Sequence, residues 1–166
     1  RVKNISRGSE QLVELRIDLT TAVFPDMVFD PFGAAGDQVA KDLTVDVQSG
    51  MGFEGHKYEG LHAGGFDVMV LKFRSFDRGD EFFFSVDVDP TSIAGVGAPG
   101  PGESGSVGGL ELVGATITAT FNDGTVLTNQ VSRMDDPGNG GVTHSGAVAV
   151  MRPGLPDRPV LGIPGV

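Results

Sequence analysis

The amino-acid sequence predicts an all-β fold, a two-sheet antiparallel β-sandwich of jelly-roll type. Three observations carry that expectation. Apolar and polar residues alternate with period two in residues 11–20, 81–89 and 115–121, the pattern of strands with one wet face. Glycine makes up 26 of the 166 residues, about twice its usual ~7% share, and falls between those segments as turn residues do. No segment carries a strong helical period.

The elements follow in order. Residues 1–9 are polar and read as a frayed lead-in. In residues 11–20, Val13, Leu15, Ile17 and Leu19 share one face, and Glu14, Arg16 and Asp18 the other. Residues 27–32 (MVFDPF) are a short apolar piece stopped by Pro31 and Gly33, and residues 43–48 alternate again. Residues 49–65 (SGMGFEGHKYEGLHAGG) are rich in glycine and read as a loop. Residues 66–73 (FDVMVLKF) are apolar on both faces, as a central strand covered on both sides would be. Residues 81–89 (EFFFSVDVD) read as one strand with Phe82, Phe84, Val86 and Val88 on its inner face.

A Gly/Pro/Ser-rich loop, residues 93–109, follows; it is too long for an ordinary hairpin. Residues 115–121 and 125–131 are joined by Asn122-Asp123-Gly124, which predicts a hairpin with a type I′ turn. Residues 134–141 form a third loop and 142–151 a last strand. The final fifteen residues hold four prolines, a composition that cannot sustain a central strand. The expected organisation is therefore one sandwich domain, residues 1–151, and a Pro-rich linker or tail, residues 152–166. The expected core contains Val13, Ile17, Val45, Val70, Phe82, Phe84, Val86, Ile117 and Phe121.

Charge narrows the function. Twelve Lys and Arg stand against 22 Asp and Glu, a net charge of -10, so phosphate backbones and anionic membrane surfaces are disfavoured partners. The absence of cysteine excludes disulfides and thiolate metal sites. No apolar run approaches the ~18 residues of a membrane span. The chain opens without Met, which reads as a piece of a longer polypeptide with neighbouring domains.

Several short motifs resolve into turn chemistry. Residues 95–100 fit G-x-G-x-x-G, but Pro101, Gly102 and Gly105 follow where a dinucleotide site needs a helix. Arg78-Gly79-Asp80 falls where a turn is expected. Asn4-Ile5-Ser6 is a glycosylation sequon by pattern. Ser104 lacks the following glycine of a nucleophile elbow, so the chain is read as non-enzymatic. His56 and His62 match no established zinc spacing.

Two constellations remain. Calcium takes six to eight oxygens, and carboxylates in Gly-rich loops supply them. The candidate ligands are Asp77, Asp80, Asp87, Asp89, Asp135 and Asp136. Residues 51–65 combine the only tyrosine with imidazoles, a lysine and carboxylates, the widest hydrogen-bonding range in the chain. Tyr58, with His56, Lys57, Glu59 and His62 as partners, is the expected ligand-binding set. With no tryptophan, Tyr58 or Phe53 is the expected stacking surface.

The stretches FDRGDEFFFSVDVD (residues 76–89), residues 90–109 and LELVGATITATFNDG (residues 110–124) resemble a recurring accessory β-sandwich module of large secreted bacterial proteins. Such modules are carbohydrate-binding-module-like and often neighbour malectin-like domains. The resemblance covers under half the chain. It implies a secreted or cell-surface accessory module; together with the loop chemistry and the acidic clusters above, the expected function is non-catalytic polysaccharide binding with calcium as a structural ion. The alternative is a structural or protein-interaction module that spaces or displays neighbouring domains.

Overall fold

The computed structural model of the chain describes residues 1–95, 97 and 112–133 and the backbone of 147–148. Its strands are β1 (Val2–Lys3), β2 (Leu12–Asp18), β3 (Met27–Phe29), β4 (Thr44–Gln48), β5 (Phe53–His62), β6 (Gly65–Phe73), β7 (Glu81–Ser85), β8 (Val88–Pro90), β9 (Thr116–Phe121), β10 (Val126–Gln130), β11 (Ser132–Arg133) and β12 (Ala147–Val148). A short 3-10 turn, Thr91–Ile93, follows β8.

Two antiparallel sheets form the sandwich. The small sheet has the order β1-β7-β4, and the large one β10-β9-β2-β6-β3-β8 with β5 on the other side of β6. β11 and β12 make a separate two-stranded pair. The sheets meet through aromatic rings. Phe82 of the small sheet lies 4.8 Å from Phe53 and 5.3 Å from Phe73 of the large sheet, centroid to centroid. Phe76, in the connection between the sheets, touches Phe73 at 5.0 Å. Leu12, Leu15, Ile17, Leu19, Met69 and Leu71 extend this core along the large sheet.

Alternation locates most strands, and the departures have physical causes. Ile17, Val70 and Phe82 are buried as expected, whereas Val13, Val45, Phe84, Val86, Ile117 and Phe121 are half-buried. A bulge between Leu12 and Glu14 shifts the phase of β2, so Leu12 takes the inward place expected of Val13. Residues 81–89 are two strands: β7 pairs with β4 and β1, and β8 pairs with β3 in the other sheet. The chain changes sheets at Val86 and Asp87, so one continuous inward face is impossible there.

The Gly-rich segment 49–65 is no loop. It supplies β5, ten residues long and paired with β6 along most of its length. Ala63 and Gly64 close this hairpin, both with positive φ (49° and 100°). That is the backbone of a type I′ turn. The Asn122–Gly124 turn is different: only Gly124 has positive φ, 86°. Asp123 caps the turn instead, its carboxylate accepting the N–H of Thr125 at 2.8 Å and its hydroxyl at 3.0 Å. The N-terminal residues are not frayed. β1 pairs with β7, and the buried Asn4 amide donates to the carbonyls of Phe76 (2.8 Å) and Glu10 (3.0 Å). The loop over residues 93–109, the last strand beyond Ala147–Val148 and the boundary at 151/152 lie outside the described residues.

Candidate metal centre and ligand surface

The sheet crossover builds an acidic corner. β3 and β8 pair antiparallel with Val28 opposite Asp89, and Asp30 and Asp87 sit just outside this register. The loop after β3 folds back over the same corner. Asp30 directs it: its fully buried carboxylate accepts the N–H groups of Ala34 (2.9 Å), Ala35 (2.7 Å) and Gly36 (2.8 Å). Glycine is required at position 36, because a Cβ there would stand 2.1 Å from the Cβ of Asp89. The loop thereby carries Asp37 to the strand pair, where its N–H donates to Asp89 Oδ2 at 3.3 Å.

Carboxylate oxygens of Asp37, Asp87 and Asp89 lie within 4.8 Å of one another. Asp89 is 6% exposed, and the Oδ2 atom of Asp87 is buried without a hydrogen-bond partner. Burial, followed by the charges of Asp89, Asp37 and Asp30, pushes the Asp87 carboxyl up to about 7. Burial and the charge of Asp37 raise Asp89 as well. Asp30 behaves oppositely. Burial alone would raise it, but the amides of Gly36, Ala34, Ala35 and Phe32 outweigh that and hold it below the ordinary carboxylate value. Carboxylates that repel one another and leave an oxygen unpaired form a donor set suited to a hard cation.

This corner contains two of the expected metal ligands, Asp87 and Asp89. It adds Asp37, which the sequence does not connect to them because 49 residues separate it from Asp87. Asp77 and Asp80 lie elsewhere, in the turn before β7. Asp80 accepts the N–H of Asp77 at 2.9 Å, and Asp77 accepts from the Gln11 side chain at 2.7 Å. Asp135 and Asp136 lie outside the described residues.

The expected ligand set on β5 is divided by strand alternation. His56 and Tyr58 lie opposite Leu71 and Met69, on the core side of the large sheet. Both engage Asp42: His56 Nε2 is 2.9 Å from its Oδ1, and the Tyr58 hydroxyl donates to the same oxygen at 2.9 Å. The Tyr58 ring stacks on Phe66 at 5.3 Å and touches Phe29 at 6.0 Å. Burial and the bond to Asp42 raise the Tyr58 hydroxyl well above its ordinary value. Lys57 and Glu59 face the other way, opposite Val70 and Val68. Glu59 binds Lys57 at 2.5 Å and Arg16 at 2.6 Å, and these two cations hold its carboxyl low. His62 is paired separately with Asp67 at 2.9 Å.

The five residues therefore form no single surface. Phe53 is likewise committed to the core, 4.8 Å from Phe82. The exposed aromatic rings are Phe32, 66% exposed, and Phe24. The sequon asparagine, Asn4, is buried and fully bonded, so its side chain is not open to glycosylation. Comparisons of the chain with protein-family models, with curated proteins and with solved structures give no match.

Proposed function

We propose that the protein is a non-catalytic polysaccharide-binding module, stabilised by calcium, belonging to a secreted or cell-surface bacterial protein with further domains. The observation that carries this reading is the convergence of Asp37, Asp87 and Asp89 around the unpartnered Oδ2 of Asp87. Three carboxylates neutralise a divalent cation and supply part of its six to eight oxygens. The remaining positions fall to water or to the hydroxyls of a ligand. Sites of this kind in extracellular modules work at millimolar calcium, where a weak site is filled. The net charge of -10 favours a neutral polysaccharide over an anionic one.

Affinity electrophoresis through gels containing a mannan, a xylan or a neutral β-glucan, in calcium and in chelator, tests the reading. Retention by at least one polysaccharide in calcium, weakened in chelator, is the expected result. Free migration through all of them contradicts it.

A second reading is favoured by the internal pairing of His56, Tyr58, Lys57, Glu59 and His62. Side chains committed to their own sheet support a structural or interaction module that spaces neighbouring domains. That reading expects calcium to stabilise the fold with no retention by any glycan.

A further inference from the structure

We propose that the exposed ring of Phe32 is the platform on which one sugar ring of a neutral polysaccharide stacks. This rests on the polysaccharide-binding reading and names the surface that serves it. The chain has no tryptophan, and its one tyrosine is covered. Of its 11 phenylalanines, nine are buried or half-buried, which leaves Phe24 and Phe32.

Of these two, Phe32 is the one that meets another ring. It meets Phe66 edge-on at 6.2 Å and 70°. Phe66 stacks on Tyr58, whose hydroxyl is fixed by Asp42. Its backbone is fixed too. Asp30, two residues earlier, binds the N–H groups of residues 34–36. Gly33, at φ 63°, lies so near the returning chain that a Cβ there would stand 3.0 Å from the carbonyl oxygen of Val39. A ring ordered before binding loses little entropy when a ligand settles on it.

The size of the surface selects the ligand. A fully buried phenylalanine accounts for about 150–250 Å². Phe32 at 66% exposure therefore offers on the order of 100–150 Å², the scale of one sugar ring. That is well short of the ~800 Å² per partner of a protein interface. The same loop carries Asp37, and its fold brings Gly33 against Gln38 and Val39, next to that carboxylate. Stacking on Phe32 and coordination of hydroxyls by a cation at Asp37, Asp87 and Asp89 are thus both served by one loop, and binding should depend on both.

The test uses the full chain, the neutral polysaccharide that retains it best, and the variants Phe32→Ala, Phe32→Tyr and Phe24→Ala, each in calcium and in chelator. Phe32→Ala should weaken retention at least tenfold while its melting curve overlays that of the unsubstituted protein. Phe32→Tyr and Phe24→Ala should be retained normally. If the unsubstituted protein is retained and Phe32→Ala is retained equally, polysaccharide binding stands and the assignment to Phe32 falls. A melting temperature for Phe32→Ala as low as that of a core variant would also overturn it, because the ring would then be a structural element. If no polysaccharide retains the unsubstituted protein, the underlying reading fails and this inference with it.

Discussion

The surroundings of Asp87 oppose its ionisation. In the unfolded chain an aspartate ionises near 3.9, whereas here burial and three neighbouring carboxylates push Asp87 up to about 7. Between those two values the folded protein holds a proton that the unfolded chain has released. The contribution of Asp87 to folding stability in chelator therefore falls as pH rises from about 4 to about 7, the reverse of an ordinary paired carboxylate. Urea melts in chelator across that range check the sign, and Asp87→Asn should flatten the dependence. Asp87 and Asp89 are legible in the sequence as a carboxylate pair beside Pro90. Asp37 is not, because only the fold of the loop after β3 brings it to β8. Phe32 is hidden for a related reason: the apolar run 27–32 gives no sign that its last ring leaves the sheet.

Among the elements, β2, β6 and the β9–β10 pair are legible because each follows a clear apolar pattern. β5 is obscured because glycines and charges interrupt its alternation, and its turn is Ala63-Gly64 where Asn-Gly or Asp-Gly would have announced a hairpin. Ala63 pays a steric penalty at φ 49° that asparagine tolerates better. Ala63→Asn should raise the stability by about 0.5–1 kcal/mol, read from the urea midpoint. The change of sheet at Val86 and Asp87 redistributes the expected core. Phe82 is fully buried between the sheets, and Phe84 is only partly so. Phe82→Ala should cost about 3–5 kcal/mol. Phe84→Ala should cost less, because a half-buried ring leaves no closed cavity, and equal losses would show that the small sheet's inner face is wrongly placed.

At the scale of the whole molecule, two sheets joined by a ring cluster hold one loop, residues 30–37, against the point where the chain crosses between them. A cation at Asp37, Asp87 and Asp89 would therefore tie that loop to the crossover and relieve the repulsion that weakens it. Anything bound to the folded state alone stabilises by mass action. The most direct measurement is thermal unfolding of the full chain at neutral pH, in chelator and through a titration to millimolar calcium, with Asp37→Asn and Asp87→Asn alongside. The account predicts a saturable rise in melting temperature for the unsubstituted protein and a strongly reduced rise in both variants. Superimposable melting curves in calcium and chelator, or an equal rise in the two variants, would contradict it.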